Sequence, residues 1–512
     1  MTDERKLVGV SRREVMAGAA GVALAAAAPW RRAAAQTPKK GGDLKLGIDG
    51  AESTDSLDPA SYTATYMQTV GYQWGNPLIE LDVNNKPIPE LAESWEPNKD
   101  ATRWVVKLRK GVTFHNGKEM TADDVVASYN HHRGKDSKSA AKVYLDPFTD
   151  IKADGKDQVV FELAQGIADV PYILADYHLL IMPAGSPPDS GMGTGPFSIE
   201  AFEPGVRTLA KRNPNYFKDG RAHADSVETL AINDQTARTN ALQTGAAHWI
   251  NRVDPKTVSL LQRLPTIKII DVPSAGHYLF VMRCDMAPFD NLDLRLAMKY
   301  GIDREDIIKK ILLGHGALGN DNPIPGFDPF HADIPQRTYD LDKAKFHFKK
   351  SGFEGAVPMQ IADAAFTGAV DTATLYQQHL AKAGINLDVQ RVPNDGYWDN
   401  VWMKAPFCGS YWGGRPTADL MLSVAYASDA AWNESFWKRP DFDKLLVAAR
   451  GELDQGKRTQ LYAEAQTMIN EDGGAIIPMF NNFLFGTSDK VAGMVTSPVL
   501  TGLRCAEQLY FV

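Results

Sequence analysis

Leu108-Arg109-Lys110-Gly111-Val112-Thr113-Phe114-His115-Asn116-Gly117, followed by Thr121-Ala122-Asp123-Asp124-Val125, decides how this chain is read. Trp104-Val105-Val106-Lys107-Leu108 leads into it, alternating apolar and polar residues as a half-buried strand does. Lys110-Gly111 and Asn116-Gly117 are turn pairs, and Thr121 with Asp124 three residues on can cap a helix beginning near Ala122. The segment reads as strand, turn, strand, turn, helix. It carries no catalytic group.

The N-terminus gives a second signal. Ser11-Arg12-Arg13-Glu14-Val15-Met16 precedes an apolar Ala/Gly run from Ala17 to Ala28, and Ala33-Ala34-Ala35 offers a small-residue cleavage site. Charged region, short apolar core and cleavage site predict a signal peptide over 1–35, removed near Ala35. The paired arginines point to twin-arginine export, and Arg31 and Arg32 before the cleavage site fit that route. The apolar core is shorter than the roughly 20 residues a membrane span needs. No cysteine lies near the cleavage site, so lipid anchoring is not indicated. The expected location is periplasmic. Export in the folded state is compatible with a cofactor-containing enzyme as well as with a cofactor-free binding protein.

After the leader about 477 residues remain, too many for one hydrophobic core, so two or three domains are expected. Hydrophobic residues make up 44% and charged residues 23%, as in an ordinary soluble globular protein. The same remainder holds 49 basic and 60 acidic residues, a net charge of −11. Such a surface argues against nucleic acid and anionic membranes as partners. Cys284, Cys408 and Cys505 are too few and too scattered for a disulfide framework or a zinc site. One pair, such as Cys284 with Cys505, remains open.

Strands are predicted at Leu44–Ile48 and Val159–Leu163, a hairpin turn at Asn84-Asn85-Lys86, and a helix through Met67, Val70 and Trp74. Asp293 to Ile311 carries apolar residues at helical spacing. Further helices are predicted over Ala369–Ala383 and Lys457–Ile469, with a strand at Ile385–Val389 between them. Alternation of helices and strands implies an α/β architecture. The loop from Pro183 to Met192, rich in Pro, Gly and Ser, reads as a boundary.

The opening stretch, together with Leu91-Ala92-Glu93-Ser94-Trp95, Gly193-Thr194-Gly195-Pro196-Phe197, Asn213-Pro214-Asn215-Tyr216 and Pro288-Phe289-Asp290-Asn291 with Arg295 and Ala297, resembles one family. These are the landmarks, in order and spacing, of the family 5 extracytoplasmic solute-binding proteins, which serve peptide and nickel ABC transporters. The resemblance implies an α/β bilobed periplasmic-binding-protein clamshell (type II-like) with an extra subdomain in the first lobe. Lobe I would comprise 43–70, 191–275 and 479–512, the subdomain 71–190, and lobe II 276–478. The crossings would fall near Pro273 and Pro478, with the ligand between the lobes. It also implies an ABC permease as partner, no cofactor, no metal, and a monomer.

An enzyme needs a site, and the chain has no G-x-S-x-G, H-E-x-x-H or Walker A sequence. Gly191-x-Gly193-x-Gly195 has the wrong spacing for a nucleotide loop and is followed by strand-like residues, so it reads as a structural turn. His131-His132 cannot place both rings on one helical face and reads as solvated surface.

The strongest binding candidate is Phe407 to Asp419, where a short strand runs into Tyr411, Trp412, Gly413, Gly414 and Arg415. Aromatic faces can sandwich a ligand, glycines let its backbone approach, and a charge orients it. In peptide-binding relatives the corresponding loop carries an Asp for the ligand's α-amino group; the best match here is Arg415. A guanidinium cannot attract an ammonium group, but it forks with carboxylate or phosphate. Arg415 is therefore expected to grip an anionic group, with Asp419 buttressing it or reading a cationic one. Asn251, Arg252, His277, Tyr278, Arg283, Tyr397 and Trp432 complete the candidate ligand-binding set. Arg283 is a second unexpected cation, so the ligand is expected to be peptide-like or an anionic, opine-like amino-acid conjugate. Two alternatives stand beside this reading: a nickel-chelate or haem binder using His277, His248 and Met282, and a secreted cofactor-containing enzyme.

Overall fold

The first predicted strand forms as Asp43–Ile48 and sits inside a seven-stranded sheet, between Trp249–Ile250 and Ser226–Ala231. The sheet continues through Arg207–Arg212 to Phe197–Glu203 on one side, and through Phe483–Ser488 to Ile267–Val272 on the other. The computed structural model describes residues 38–512 except 63, 140, 394, 395, 500 and 501, so the predicted leader lies outside the described residues. A second, six-stranded sheet runs in the order Gly316–Leu318, Ala475–Asn481, His277–Met282, Phe407–Trp412, Val357–Ile361, Leu387–Arg391. A four-stranded antiparallel sheet of Ala92–Pro97, Arg103–Leu108, Gln158–Leu163 and Phe148–Ala153 forms the extra subdomain. The fold is an α/β bilobed clamshell, with helices packed on both faces of the six-stranded sheet.

The chain passes between the two large sheets at 273–276 and again at Asn482. Pro478 lies within the strand Ala475–Asn481, so the second passage falls after it. Proline is tolerated there because the pairing with His277–Met282 shifts register between Tyr278 and Phe280, where no ladder donor is required of it.

The opening stretch earns its place by what it fastens. Asp124 accepts from the Thr121 amide at 2.9 Å, so the helix Ala122–His131 starts as predicted. The predicted second strand is reduced to a single bridge, Thr113 to Glu119, because turns crowd both of its ends. His115 N donates to the Gly193 carbonyl at 3.0 Å, and its Nε2 lies 3.1 Å from the Gly195 carbonyl. A Cβ on Gly195 would fall 2.3 Å from the Trp74 carbonyl carbon, and one on Gly193 2.4 Å from the Trp74 oxygen. The glycine triplet is therefore a close-packed turn feeding the strand Phe197–Glu203.

Three further expectations change. The helix expected over Asp293–Ile311 breaks into Leu292–Tyr300 and Arg304–Lys310, since Gly301 packs against Leu380 and Asp303 caps a new start by accepting from Asp306 N at 3.0 Å. His132 is wholly buried and bonds Ser139 at 2.6 Å, while His131 pairs with Asp58 at 2.8 Å. Only His132 turns inward; His131 stays partly exposed and reaches Asp58 of the first lobe. All three cysteines are free; Cys505 lies in the first-lobe core, whereas Cys284 packs against a second-lobe core.

A buried ion network joins the subdomain to the first lobe and the C-terminal segment. Arg504 donates to Glu90 at 2.9 and 2.7 Å and to Glu507 at 3.1 Å; Lys218 reaches Glu80 and Glu90, each at 2.7 Å. Burial pushes both carboxyls up, but the two cations overcome it, holding Glu90 low and Glu507 down to about 2. Arg504→Gln is expected to cost about 3–5 kcal/mol at neutral pH, because buried carboxylates lose their partner. Depressed carboxyl pKa values stabilise the fold above about 4.5 and lose that effect as pH falls toward 2. Chemical denaturation across pH 7 to 3 should show the gap between mutant and parent narrowing in that window.

Candidate ligand-binding cleft

The last turn of the strand Phe407–Trp412 and the loop after it face the subdomain across the gap between lobes. Trp412 is buried, and its Nε1 donates to Glu434 at 2.7 Å. Glu434 also accepts from Ser410 Oγ at 2.6 Å and from Trp402 Nε1; burial raises its carboxyl, and these donors offset part of the rise. The indole is thus a fixed platform. The Arg415 guanidinium lies 5.7 Å over its ring, and the Trp432 ring, half exposed, is 6.0 Å away.

Arg415 Nη1 donates to the Gly413 carbonyl at 3.2 Å, and the guanidinium meets the Tyr144 phenol of the subdomain. Asp176 and Tyr177, also on the subdomain, lie within electrostatic reach of it. Arg415 Nε is buried without a partner, and among the described residues no carboxylate forms an ion pair with this side chain. Arg415 therefore carries its charge at the contact between jaws with only carbonyl and phenol partners.

Asp419 does not join it. Thr417 caps the helix Ala418–Tyr426, and Asp419 in its first turn is buried against Arg450, whose Nε reaches it at 3.1 and 3.3 Å. Burial raises its carboxyl despite that partner. Neither the buttressing nor the cation-reading role fits a carboxylate already spent. Arg283 is also displaced from the cleft: it lies beyond the opposite end of the strand His277–Met282, paired with Asp285 at 2.7 Å and stacked 3.8 Å over Phe436. Two residues are core. Tyr397 is buried with its hydroxyl on the Gly409 carbonyl at 2.9 Å, and Asn251 is buried in a two-way bond with Asp49 at 3.2 and 2.7 Å.

Tyr278, Tyr411 and Arg252 group near the first passage between sheets. Tyr278 and Tyr411 are cross-strand partners on one face, and Tyr278 stacks on Phe366 at 4.5 Å with the rings nearly parallel. Tyr411 is 47% exposed and meets Trp398 edge-on at 5.6 Å. Arg252, in a left-handed backbone conformation, reaches from the first lobe, held by Asp49 at 3.1 Å and close enough to influence Tyr278. His277 is fully buried beside the same passage. Gly413 is exposed next to Arg415.

His248, His277 and Met282 do not converge: His248 accepts from Lys45 N in the first sheet, and Met282 ends the strand that His277 begins. Among the described residues no three His, Cys, Asp or Glu side chains gather as metal ligands would.

The contact between jaws was not legible in the sequence. Arg458 Nη2 lies 2.6 Å from Asp169, with both side chains buried, and Ala168 N donates to the Arg450 carbonyl at 2.8 Å. Asp169 belongs to the subdomain; Arg450 and Arg458 belong to second-lobe helices Pro440–Gly451 and Gln455–Asp472. Leu420 of the second lobe also packs on the subdomain core. An Asp before Val170-Pro171 signals a helix start, and nothing in sequence ties it to a distant Arg. Asp169→Asn with Arg458→Met should leave circular dichroism unchanged, raise the radius of gyration in X-ray scattering, and weaken ligand binding by about threefold to tenfold, since the closed form loses a pair whose net contribution is modest. An unchanged radius and affinity would show that the pair does not hold the jaws.

Comparison with known proteins accords with this geometry. Residues 86–434 match the family model described as bacterial extracellular solute-binding proteins, family 5 Middle. The dipeptide-binding protein of Escherichia coli K12 is 23% identical over 90% of this chain and 97% of its own length. Among solved structures, the periplasmic binding protein DppA of Helicobacter pylori with peptide STSA superposes with TM-score 0.79, 23% identity, and coverage of 92% of this chain and 98% of that one. AgaA of A. tumefaciens R10 with agropinic acid gives TM-score 0.78 and 23% identity over 92% and 99%. With its landmarks, two sheets and family-model match in agreement, this chain belongs to the bacterial extracellular solute-binding proteins of family 5.

Proposed function

We propose that the protein is the periplasmic receptor of an ABC importer, closing its two lobes on a carboxylate-bearing, amino-acid-derived or peptide-like solute and presenting it to the permease as a monomer. It acts by binding and not by catalysis: affinity differs between open and closed forms, and occupancy is read from the closed shape. The two passages at 273–276 and Asn482 serve as the hinge. The leader over 1–35 supplies the route to the periplasm, through twin-arginine export with cleavage near Ala35.

The observation that carries the choice of ligand is Arg415, a cation on an indole platform at the jaw contact, whose buried Nε has no partner and which has no acid paired to it among the described residues. Leaving such a donor unpaired is costly, and an anion is the partner a guanidinium prefers. That AgaA was solved with agropinic acid and the Helicobacter protein with a peptide supports both halves of the class.

Thermal-shift and calorimetric screening should find carboxylate-rich amino-acid conjugates raising the Tm by mass action. Arg415→Ala should weaken that binding by about 2–4 kcal/mol, the range for truncating one partner of a buried charged contact. Neutral blocked peptides, if bound at all, should be indifferent to the change. Equal affinity of Arg415→Ala and parent for every anionic ligand sinks the anionic reading.

A further inference from the structure

We infer that His277 and Arg415 together form a subsite for a hydroxyl group, so that the solute is a hydroxylated carboxylate. This rests on the reading of Arg415 as the anion-binding cation.

His277 opens the strand His277–Met282 and pairs in register with Trp412, so the imidazole and the indole share one face of the sheet. Arg415 lies over that same indole. Both nitrogen-bearing residues therefore neighbour Trp412, His277 across the strand pair and Arg415 over the indole, and Glu434 fixes that indole through Trp412 Nε1. His277 Nδ1 is 3.4 Å from the Ala275 carbonyl oxygen. A carbonyl only accepts, so Nδ1 carries the proton and Nε2 presents a lone pair. Burial and the nearby Arg415 cation push the imidazole down to about 4, although the Ala275 bond opposes them, so the ring is neutral at working pH. Among the described residues Nε2 has no partner, and the side chain is 0% exposed. Arg415 Nε–H is likewise buried without a partner.

Among the described residues, one acceptor and one donor thus stand unpaired on two neighbours of Trp412. A carboxylate alone would satisfy Nε–H but would turn its own lone pairs against Nε2. An ammonium would satisfy Nε2 and be repelled by the guanidinium. A hydroxyl donates to Nε2 and accepts from Nε–H at once. A carboxylate elsewhere on the same ligand neutralises the guanidinium. An amide N–H of a peptide backbone can supply only the donor half.

The test is calorimetry of matched probes, 2-hydroxyglutarate against glutarate and gluconate against hexanoate, with parent, His277→Gln and His277→Phe. The parent should prefer the hydroxylated member of each pair by at least tenfold. Gln, whose amide oxygen still accepts, should keep most of that preference. Phe, which offers no acceptor, should abolish it. Should the Phe variant misfold, imidazole nitrogen NMR of the parent reads the same bond: 2-hydroxyglutarate should move the His277 Nε2 resonance, and glutarate should not. Binding of both members with equal affinity, or an unmoved Nε2 resonance, overturns the subsite and leaves the anionic reading standing. Failure of every carboxylate probe alongside binding of neutral peptides overturns both.

Discussion

The rest of this structure depends on the buried charges around Glu90 and Arg504. Two cations, Arg504 and Lys218, meet three carboxylates, Glu80, Glu90 and Glu507, with almost no exposure to water. Such a cluster holds only if every member stays paired, because an unpaired buried charge costs several kcal/mol. Its members come from the subdomain, from the loop between the strands Arg207–Arg212 and Ser226–Ala231, and from the C-terminal segment. The subdomain is thereby fixed to the first lobe as one jaw. Only then can Tyr144, Asp169 and Asp176 be presented to the second lobe in a set geometry.

Across the gap the same currency is used differently. Asp169 and Arg458 are also buried, yet they belong to opposite jaws. Arg458 is held by the Ala449 carbonyl at 3.1 Å and lies over the Phe330 ring at 4.8 Å, so it is ready for its partner before closure. Asp328 faces the same junction, where burial and the Asp169 charge raise its carboxyl to about 6. Opening the jaws rehydrates these groups, which offsets much of the Coulombic loss. The pair therefore favours closure modestly, as a two-state device needs.

Local chemistry was legible where a short pattern determined it. The capping pair at Thr121 and Asp124, the hairpin at Asn84–Lys86, and the glycine triplet all formed as their residue types dictate. The helix over Asp293–Ile311 was misread because periodicity continues through Gly301, where only the contact with Leu380 and the Asp303 cap force a break. Arg415 stood out because a cation replaced the acid that the resemblance led one to expect. Asp419 and Arg283 did not serve as expected because partners far along the chain, or simply the length of a strand, decide where a charge ends up. No window of sequence contains Arg450 and Asp419 together, and Phe366 beneath Tyr278 is equally remote.

Which contacts drive closure follows from where they sit. A ligand that touches only the Tyr278–Phe366 stack or Tyr411 gains the same free energy in the open and closed forms, since all of these belong to one lobe. Equal affinity for two states shifts nothing, however tight it is. Closure is driven only by ligand groups that meet both jaws at once. Arg415 already touches Tyr144 and lies within the field of Asp176, so a ligand seated on its guanidinium is brought against the subdomain as the jaws meet. On the proposed reading of Arg415, the subdomain side of the cleft separates solutes that merely bind from solutes that close the protein.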